Sequence, residues 1–96
     1  MHMDDHTQRL IRMMKDLFAE FRSRRRSLEE LQAGISGVAL AGEGNIGSRI
    51  GKVLNDLEGD LEHIRFMSQQ EDQLDAALNR IKQAEESIEA ILDSER

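Results

Sequence analysis

The chain has 96 residues, a third of them charged, and a formal net charge of −6 at pH 7. That length suits one domain with one modest core. Cysteine, proline, tryptophan and tyrosine are absent, which excludes disulfide and thiolate chemistry and fits a reducing compartment such as the cytoplasm. The longest apolar run, near Gly37–Ala41, covers about six residues and is too short to span a membrane. The sequence does not open with basic residues followed by an apolar run, so no signal peptide is predicted. Met1-His2-Met3 is compatible with a cloning remnant before a start at Met3.

Charge is unevenly distributed along the chain. Residues 1–26 carry seven Lys/Arg and four Asp/Glu, whereas residues 27–96 carry six Lys/Arg and fifteen Asp/Glu. An acidic surface repels nucleic acid and favours basic partners or simple solubility. Solubility is the more economical interpretation.

Apolar spacing predicts two helices in the first half of the chain. From Leu10 to Phe21 the apolar residues recur at steps of one, three and four, which predicts a helix over 5–23. Ser27-Leu28-Glu29-Glu30 has the pattern of a capping box and predicts a second helix over 28–41. Gly34 and Gly37 weaken that helix by about 1 kcal/mol each relative to alanine.

Two further helices are predicted after a glycine-rich loop. An apolar stripe from Ile46 to Ile64 predicts a third helix over 46–67, and a stripe from Leu74 to Leu92 predicts a fourth over 69–93. Ser68 and Glu71 are spaced as a second capping box. One continuous helix over 46–93 would be about 70 Å long and would need a partner along its length. We therefore favour a break near Ser68, with one bent helix as the alternative.

These elements predict an all-α fold. The whole chain, residues 1–96, is expected to form a single domain that is a small bundle of three to four antiparallel helices.

The segment Gly42-Glu43-Gly44-Asn45-Ile46-Gly47 matches the pattern G-x-G-x-x-G of dinucleotide-binding folds. Val38–Leu40 and His63–Phe66 would have to be strands for this interpretation to hold. Helical periodicity precedes and follows the motif, and the second strand lacks an acidic residue at its end for ribose recognition. We therefore expect a flexible connection between helices, and no cofactor.

Basic and histidine residues offer weaker candidate sites. The run Arg22–Arg26 has the charge to contact phosphates, but a solvated helix end or pairing with acidic helices is favoured. His2 and His6 have the i, i+4 spacing of a metal site, although at a chain end. His63 with Asp60 resembles one half of a bundle di-metal site. We predict at most casual metal binding at His2 and His6, an ordinary polar role for His63, and no metal site in the chain.

No combination of residues predicts catalysis. Cysteine is missing, and the histidines have no nucleophile in their sequence context. We expect the protein not to be an enzyme.

The segment Asp56–Glu62 is the best candidate for a partner-binding surface. It contains Asp56, Glu58, Asp60 and Glu62, interleaved with two leucines. Helical spacing makes Asp56 and Asp60 one i, i+4 pair and Glu58 and Glu62 another, and such pairs repel by a few tenths of a kcal/mol. That repulsion is compatible with a surface for a basic partner and with ordinary solubility.

Two segments resemble small helical immunity proteins, which bacteria use against polymorphic or contact-dependent toxins. They are Ser27-Leu28-Glu29-Glu30-Leu31 and Leu57-Glu58-x-x-Leu61-Glu62-His63-Ile64-Arg65-Phe66, in a general layout that covers residues 10–92. The resemblance implies that an acidic helical face covers the basic active site of a toxin domain, with electrostatic attraction speeding association.

Two other interpretations remain open. One is a structural homodimer joined by its C-terminal helices, because Ile88, Ile91 and Leu92 are apolar enough to need cover. The other is a secreted helical hairpin of the WXG type, suggested by two helical halves around a glycine turn. The chain lacks the tryptophan of that turn, so this interpretation ranks last.

Overall fold

The computed structural model describes residues 5–94, and four α-helices account for nearly all of them. The helices are α1 (Asp5–Arg22), α2 (Leu28–Leu40), α3 (Gly44–Met67) and α4 (Gln70–Ser94). The described residues contain no strand, so the predicted all-α fold is confirmed. Residues 38–40 and 63–66 are helical, which removes the sheet that a dinucleotide fingerprint requires.

The start of α2 follows the predicted chemistry. Ser27 is the N-cap in extended conformation, and its hydroxyl accepts a hydrogen bond from the Glu30 N–H at 3.1 Å. In return, the Ser27 N–H donates to the Glu30 carboxylate at 3.0 Å. The capping box is therefore confirmed. The hydrogen bonds from Ser27, chiefly that of its backbone N–H, lower the pKa of Glu30.

The break between α3 and α4 is also confirmed, but its chemistry differs from the prediction. Ser68 ends α3, and its N–H donates to the Ile64 carbonyl at 3.1 Å. Within residues 5–94 the Ser68 and Glu71 side chains make no hydrogen bond, so the prediction of a second capping box is wrong. Instead, the Gln73 side-chain amide donates to the carbonyls of Arg65 and Ser68, both at 3.2 Å. This contact satisfies backbone acceptors at the end of α3.

The predicted helical stripes form one hydrophobic core. Phe18, Leu31, Leu54 and Ile81, one from each helix, are all fully buried. Contacts join α1 to α2, α2 to α3, α3 to α4 and, more weakly, α1 to α3. The radius of gyration is 13.2 Å, close to the value of about 12.5 Å expected for a compact chain of this length. No helix within residues 5–94 combines the length and apolar character needed to cross a membrane.

The glycine-rich segment is a packing site, which the sequence interpretation missed. A Cβ on Gly42 would lie 2.5 Å from the Gly47 carbonyl oxygen, and a Cβ on Gly51 would lie 3.1 Å from the Ala39 carbonyl oxygen. Gly44 has a φ of +75° and begins α3 two residues earlier than predicted. The connection between the helices is therefore shorter than expected, covering residues 41–43, because residues 44–47 already belong to α3, and the glycines of this segment let α2 and α3 approach closely.

Ion pairs join the ends of the helices. The Arg22 guanidinium makes a two-pronged salt bridge with the Glu85 carboxylate, which connects α1 to α4. This contact raises the pKa of Arg22, chiefly through the hydrogen bonds from the guanidinium to Glu85. Arg26 pairs with Glu20 across the turn between α1 and α2. The run Arg22–Arg26 therefore uses two of its cations within the molecule, as one of the predicted alternatives required.

We predict opposite effects for two glycine-to-alanine substitutions. Gly42→Ala places a methyl group against the Gly47 carbonyl and should lower the free energy of unfolding by about 2 kcal/mol. Gly37→Ala, in the helical backbone of α2, meets nothing within 4 Å and should raise it by about 1 kcal/mol. Urea unfolding followed by circular dichroism measures both. Equal effects of the two substitutions would contradict the packing role of Gly42.

We also predict a pH-dependent contribution from the α2 cap. Because the pKa of Glu30 is lower in the folded chain than in the unfolded one, its stabilisation is present above the unfolded pKa, about 4.3. It is lost as the pH falls through the folded pKa. The difference in unfolding free energy between the wild type and Glu30→Gln should therefore shrink on acidification. A difference that stays constant with pH would contradict this linkage.

Candidate protein-interaction surface on helix α3

The four carboxylates predicted to bind a partner do not share one environment. Asp56 and Asp60 are exposed beside α4, where they line a groove. The other lining residues are Val53, Leu57, Arg80, Gln83, Ala84 and Ser87. Glu62 is exposed, but it is absent from this groove. The structure therefore brings Asp56 and Asp60 together, as their spacing predicted, and separates Glu58 from them.

Glu58 belongs to a polar network that joins α2 to α3. The Gln32 side-chain amide donates to Glu58 Oε1 at 2.8 Å, and Arg65 Nη1 donates to Gln32 Oε1 at 2.6 Å. Arg65 also lies 3.8 Å from the Glu29 carboxylate. Gln32 is buried, with 8% of its surface exposed. Glu58 therefore holds two helices together and is not free to bind a partner in the way that its exposed neighbours are.

The other three carboxylates have no such partner. Asp56, Asp60 and Glu62 make no side-chain hydrogen bond or ion pair with any residue of the described range 5–94. Arg80 lines the groove beside Asp56 and Asp60, but its guanidinium donates to Gln83 at 3.3 Å. We call Asp56, Asp60 and Glu62 the acidic surface of α3. Asp56 and Asp60 lie on one flank of the exposed part of the helix and Glu62 lies on the other, and their negative charge faces solvent, where it attracts cationic groups.

Two exposed apolar side chains at the end of α3 were missed by sequence reasoning. Phe66 is 71% exposed and Met67 is 72% exposed, next to the turn that leads into α4. The Arg65 guanidinium lies 5.5 Å from the centroid of the Phe66 ring, within the range of a cation–π contact. The apolar stripe of α3 ends at Ile64, and this change of phase was the available sign that Phe66 points outward. We call Phe66 and Met67 the apolar tip.

The two histidines of the described range have ordinary polar environments. His6 Nε2 donates to the Ala41 carbonyl at 2.7 Å and thereby fastens the start of α1 to the end of α2. His63 is exposed on α3 near Asp75 and Asn79 of α4. His2 lies outside the described residues. Within residues 5–94, no group of three or more His, Asp or Glu side chains is arranged to hold a metal ion.

Comparison of the chain with protein-family models, with curated proteins and with solved structures gives no match. The resemblance to immunity proteins therefore depends on the two short sequence segments alone.

We predict that the Gln32 network stabilises the fold. Gln32→Ala removes the hydrogen bonds to Glu58 and Arg65 and should lower the free energy of unfolding by about 1–2 kcal/mol. The matched control is Gln83→Ala, whose exposed side chain is hydrogen-bonded to its neighbours Asn79 and Arg80 on α4, with an expected change within about 0.5 kcal/mol. Urea unfolding measures both, and equal values would show that the network adds nothing.

Proposed function

We propose that this chain is a non-enzymatic protein-binding protein whose helix α3 presents its acidic surface to a basic protein partner. One observation supports the proposal above the others. Asp56, Asp60 and Glu62 are exposed on a single helix, and no other described residue neutralises them through an ion pair. Their charge is therefore available to a cationic partner, whereas that of Glu58 is used within the fold.

The specific form that we propose is toxin neutralisation. An immunity protein of a bacterial cytoplasm would cover the basic active site of a toxin domain with this surface, as the sequence resemblance implies. Opposite charges increase the association rate by steering the two proteins together, and this advantage falls as salt concentration rises. Such fast association is necessary for an inhibitor that has to act before its toxin.

A structural homodimer is the alternative function. The residues that suggested it, Ile88, Ile91 and Leu92, are 2%, 9% and 6% exposed in the single chain. They pack within the core, and in the part of the chain that the structure describes they leave no apolar strip at the end of α4. This burial weakens the reason for a dimer of C-terminal helices, so we rank the alternative second.

We further infer that the helices run antiparallel in a bundle. Gly51 lies against Ala39, and Glu58 is hydrogen-bonded to Gln32. A step toward the C-terminus of α3 therefore corresponds to a step of the same number of residues toward the N-terminus of α2. The short turns at residues 41–43 and 68–69 support the same arrangement for successive helices. In such a bundle α3 has one side in the core and one side toward a partner.

The proposal predicts a selective effect of neutralising the acidic surface. Co-expression of the tagged chain with the products of genes adjacent to its own should yield a stable complex and protect the cells. In that complex, the triple variant D56N/D60N/E62Q should associate at least about tenfold more slowly at low salt. Stopped-flow or biosensor measurements over a range of salt concentrations give this rate.

A second triple variant is the control. E43Q/E86Q/E89Q removes the same charge from exposed positions elsewhere and should change the rate by no more than about threefold. Equal losses in the two variants would mean that net charge alone acts, and would contradict a role for the acidic surface. Binding to no neighbouring product, with no protection, would end the toxin-neutralising form of the proposal.

A further inference from the structure

The outward side of α3 carries two parallel rows of exposed side chains. Residues four and three positions apart follow one another along the surface of a helix. The first row is Asn55, Gly59, Glu62 and Phe66, and the second is Asp56, Asp60, His63 and Met67, all of them exposed. The first row contains Glu62, the second contains Asp56 and Asp60, and each row ends in a large apolar side chain. The acidic surface and the apolar tip are therefore parts of one continuous face.

The apolar tip is largely uncovered by the described residues, although the Arg65 guanidinium lies near the Phe66 ring. Only four large hydrophobic side chains are exposed in the described part of the chain, and two of them are Phe66 and Met67. Glu62 precedes Phe66 by one helical turn, and Glu71 and Asp72 lie in the first turn of α4 just beyond the tip. Phenylalanine and methionine at such positions are typical anchors of protein interfaces, and the surrounding carboxylates form a charged rim.

Gly59 leaves a gap in the middle of this face. It lies in the interior of α3, where glycine costs about 1 kcal/mol relative to alanine. Nothing lies within 4 Å of the position that a Cβ would occupy, so packing within the chain does not require glycine there. A position without a side chain lets the backbone of a second helix come close at a crossing point.

We propose that the occupant of this face is a basic amphipathic helix of the partner protein; this inference rests on the proposed function. Lysine or arginine side chains of that helix would contact Asp56, Asp60 and Glu62, and its apolar side chain would pack on Phe66 and Met67. From Gly59 to the apolar tip is about two turns, or roughly 10 Å. The recognised segment therefore carries its apolar anchor about seven residues from its cations, on the same face.

Charge complementarity selects this occupant over the surfaces of other macromolecules. The carboxylates repel the phosphates of nucleic acids and of anionic membranes, and they attract a cationic helix. An apolar surface without carboxylates would fit an uncharged partner helix equally well. The combination of the acidic surface with the apolar tip favours a cationic helix over an uncharged one.

The test uses a synthetic helical peptide as the probe. The peptide has about 18 residues in an alanine-rich background, which is long enough to be helical by itself. Two lysines one turn apart lie two turns from a tryptophan on the same face. The chain contains no tryptophan or tyrosine, so the emission of the peptide tryptophan reports binding directly. A control peptide of the same composition carries its lysines on the opposite face.

Matched variants of the full chain locate the contact. The double variant F66A/M67A should weaken binding of the probe by at least about fivefold, the loss typical of interface anchors. Leu40→Ala, which also removes an 83% exposed apolar side chain but lies on α2, should leave the dissociation constant within about twofold. The control peptide should bind more weakly than the probe by a similar factor of about five.

Gly59→Ala separates binding from stability. It should raise the melting temperature because alanine favours the helix, yet weaken binding of the probe by about fivefold or more. Gly37→Ala makes the same change on α2 and should raise the melting temperature without affecting binding. Loss of binding in a more stable protein cannot be attributed to unfolding.

Four outcomes would overturn the inference. Equal binding of the probe by F66A/M67A and Leu40→Ala would show that the apolar tip is not part of the contact. If D56N/D60N/E62Q still lost binding, the proposed function would stand without a contribution from the apolar tip. Equal binding of the two peptides would exclude a helix recognised by one face. Failure of the probe to bind at concentrations up to millimolar would also exclude such a helix as the occupant. The proposed function would then be tested separately, by co-expression with the products of adjacent genes. A dimer of the chain alone that F66A/M67A dissociates would show that a second copy occupies the face.

Discussion

The close approach of α2 and α3 is the contact on which the rest of the structure depends. Gly42 and Gly51 have no side chain to hold the helices apart, so α3 lies against the Ala39 carbonyl of α2 at Gly51, and its Gly47 carbonyl lies against Gly42. This contact sets the distance at which Gln32 reaches Glu58 and Arg65. It also determines which side of α3 enters the core. A side chain at Gly42 or Gly51 would meet a backbone carbonyl, push the helices apart and so change both the Gln32 network and the side of α3 that enters the core.

The orientation of α3 divides its carboxylates between structure and function. Glu58 faces α2 and forms part of a polar network that is fully hydrogen-bonded around a buried amide. Such networks add specificity to a helix contact when every member has a partner. Asp56, Asp60 and Glu62 lie on other sides of the same helix, where their mutual repulsion is small and remains uncompensated. The two sets differ only in the direction of their side chains, and this direction decides what each can bind.

The accuracy of the sequence predictions depends on the range of the interaction that determines each feature. The Ser27–Glu30 capping box and the break after Met67 were predicted correctly because residues within one or two turns determine them. The packing role of the glycines was not predicted because their neighbours, such as the Ala39 carbonyl, come from another helix. The four carboxylates were grouped by spacing alone, and spacing gives no information on a partner such as Gln32, twenty-six residues away.

By itself, the sequence determined that the chain is helical, where the helices begin and end to within about two residues, and which apolar stripes form the core. These properties follow from periodicity and from capping chemistry, which act between near neighbours. Only the tertiary structure decided that Glu58 is occupied and that Asp56, Asp60 and Glu62 are free, and that Phe66 and Met67 face solvent. The reason is that exposure is a property of packing between helices: a residue becomes available to a partner only when no other part of the chain covers it.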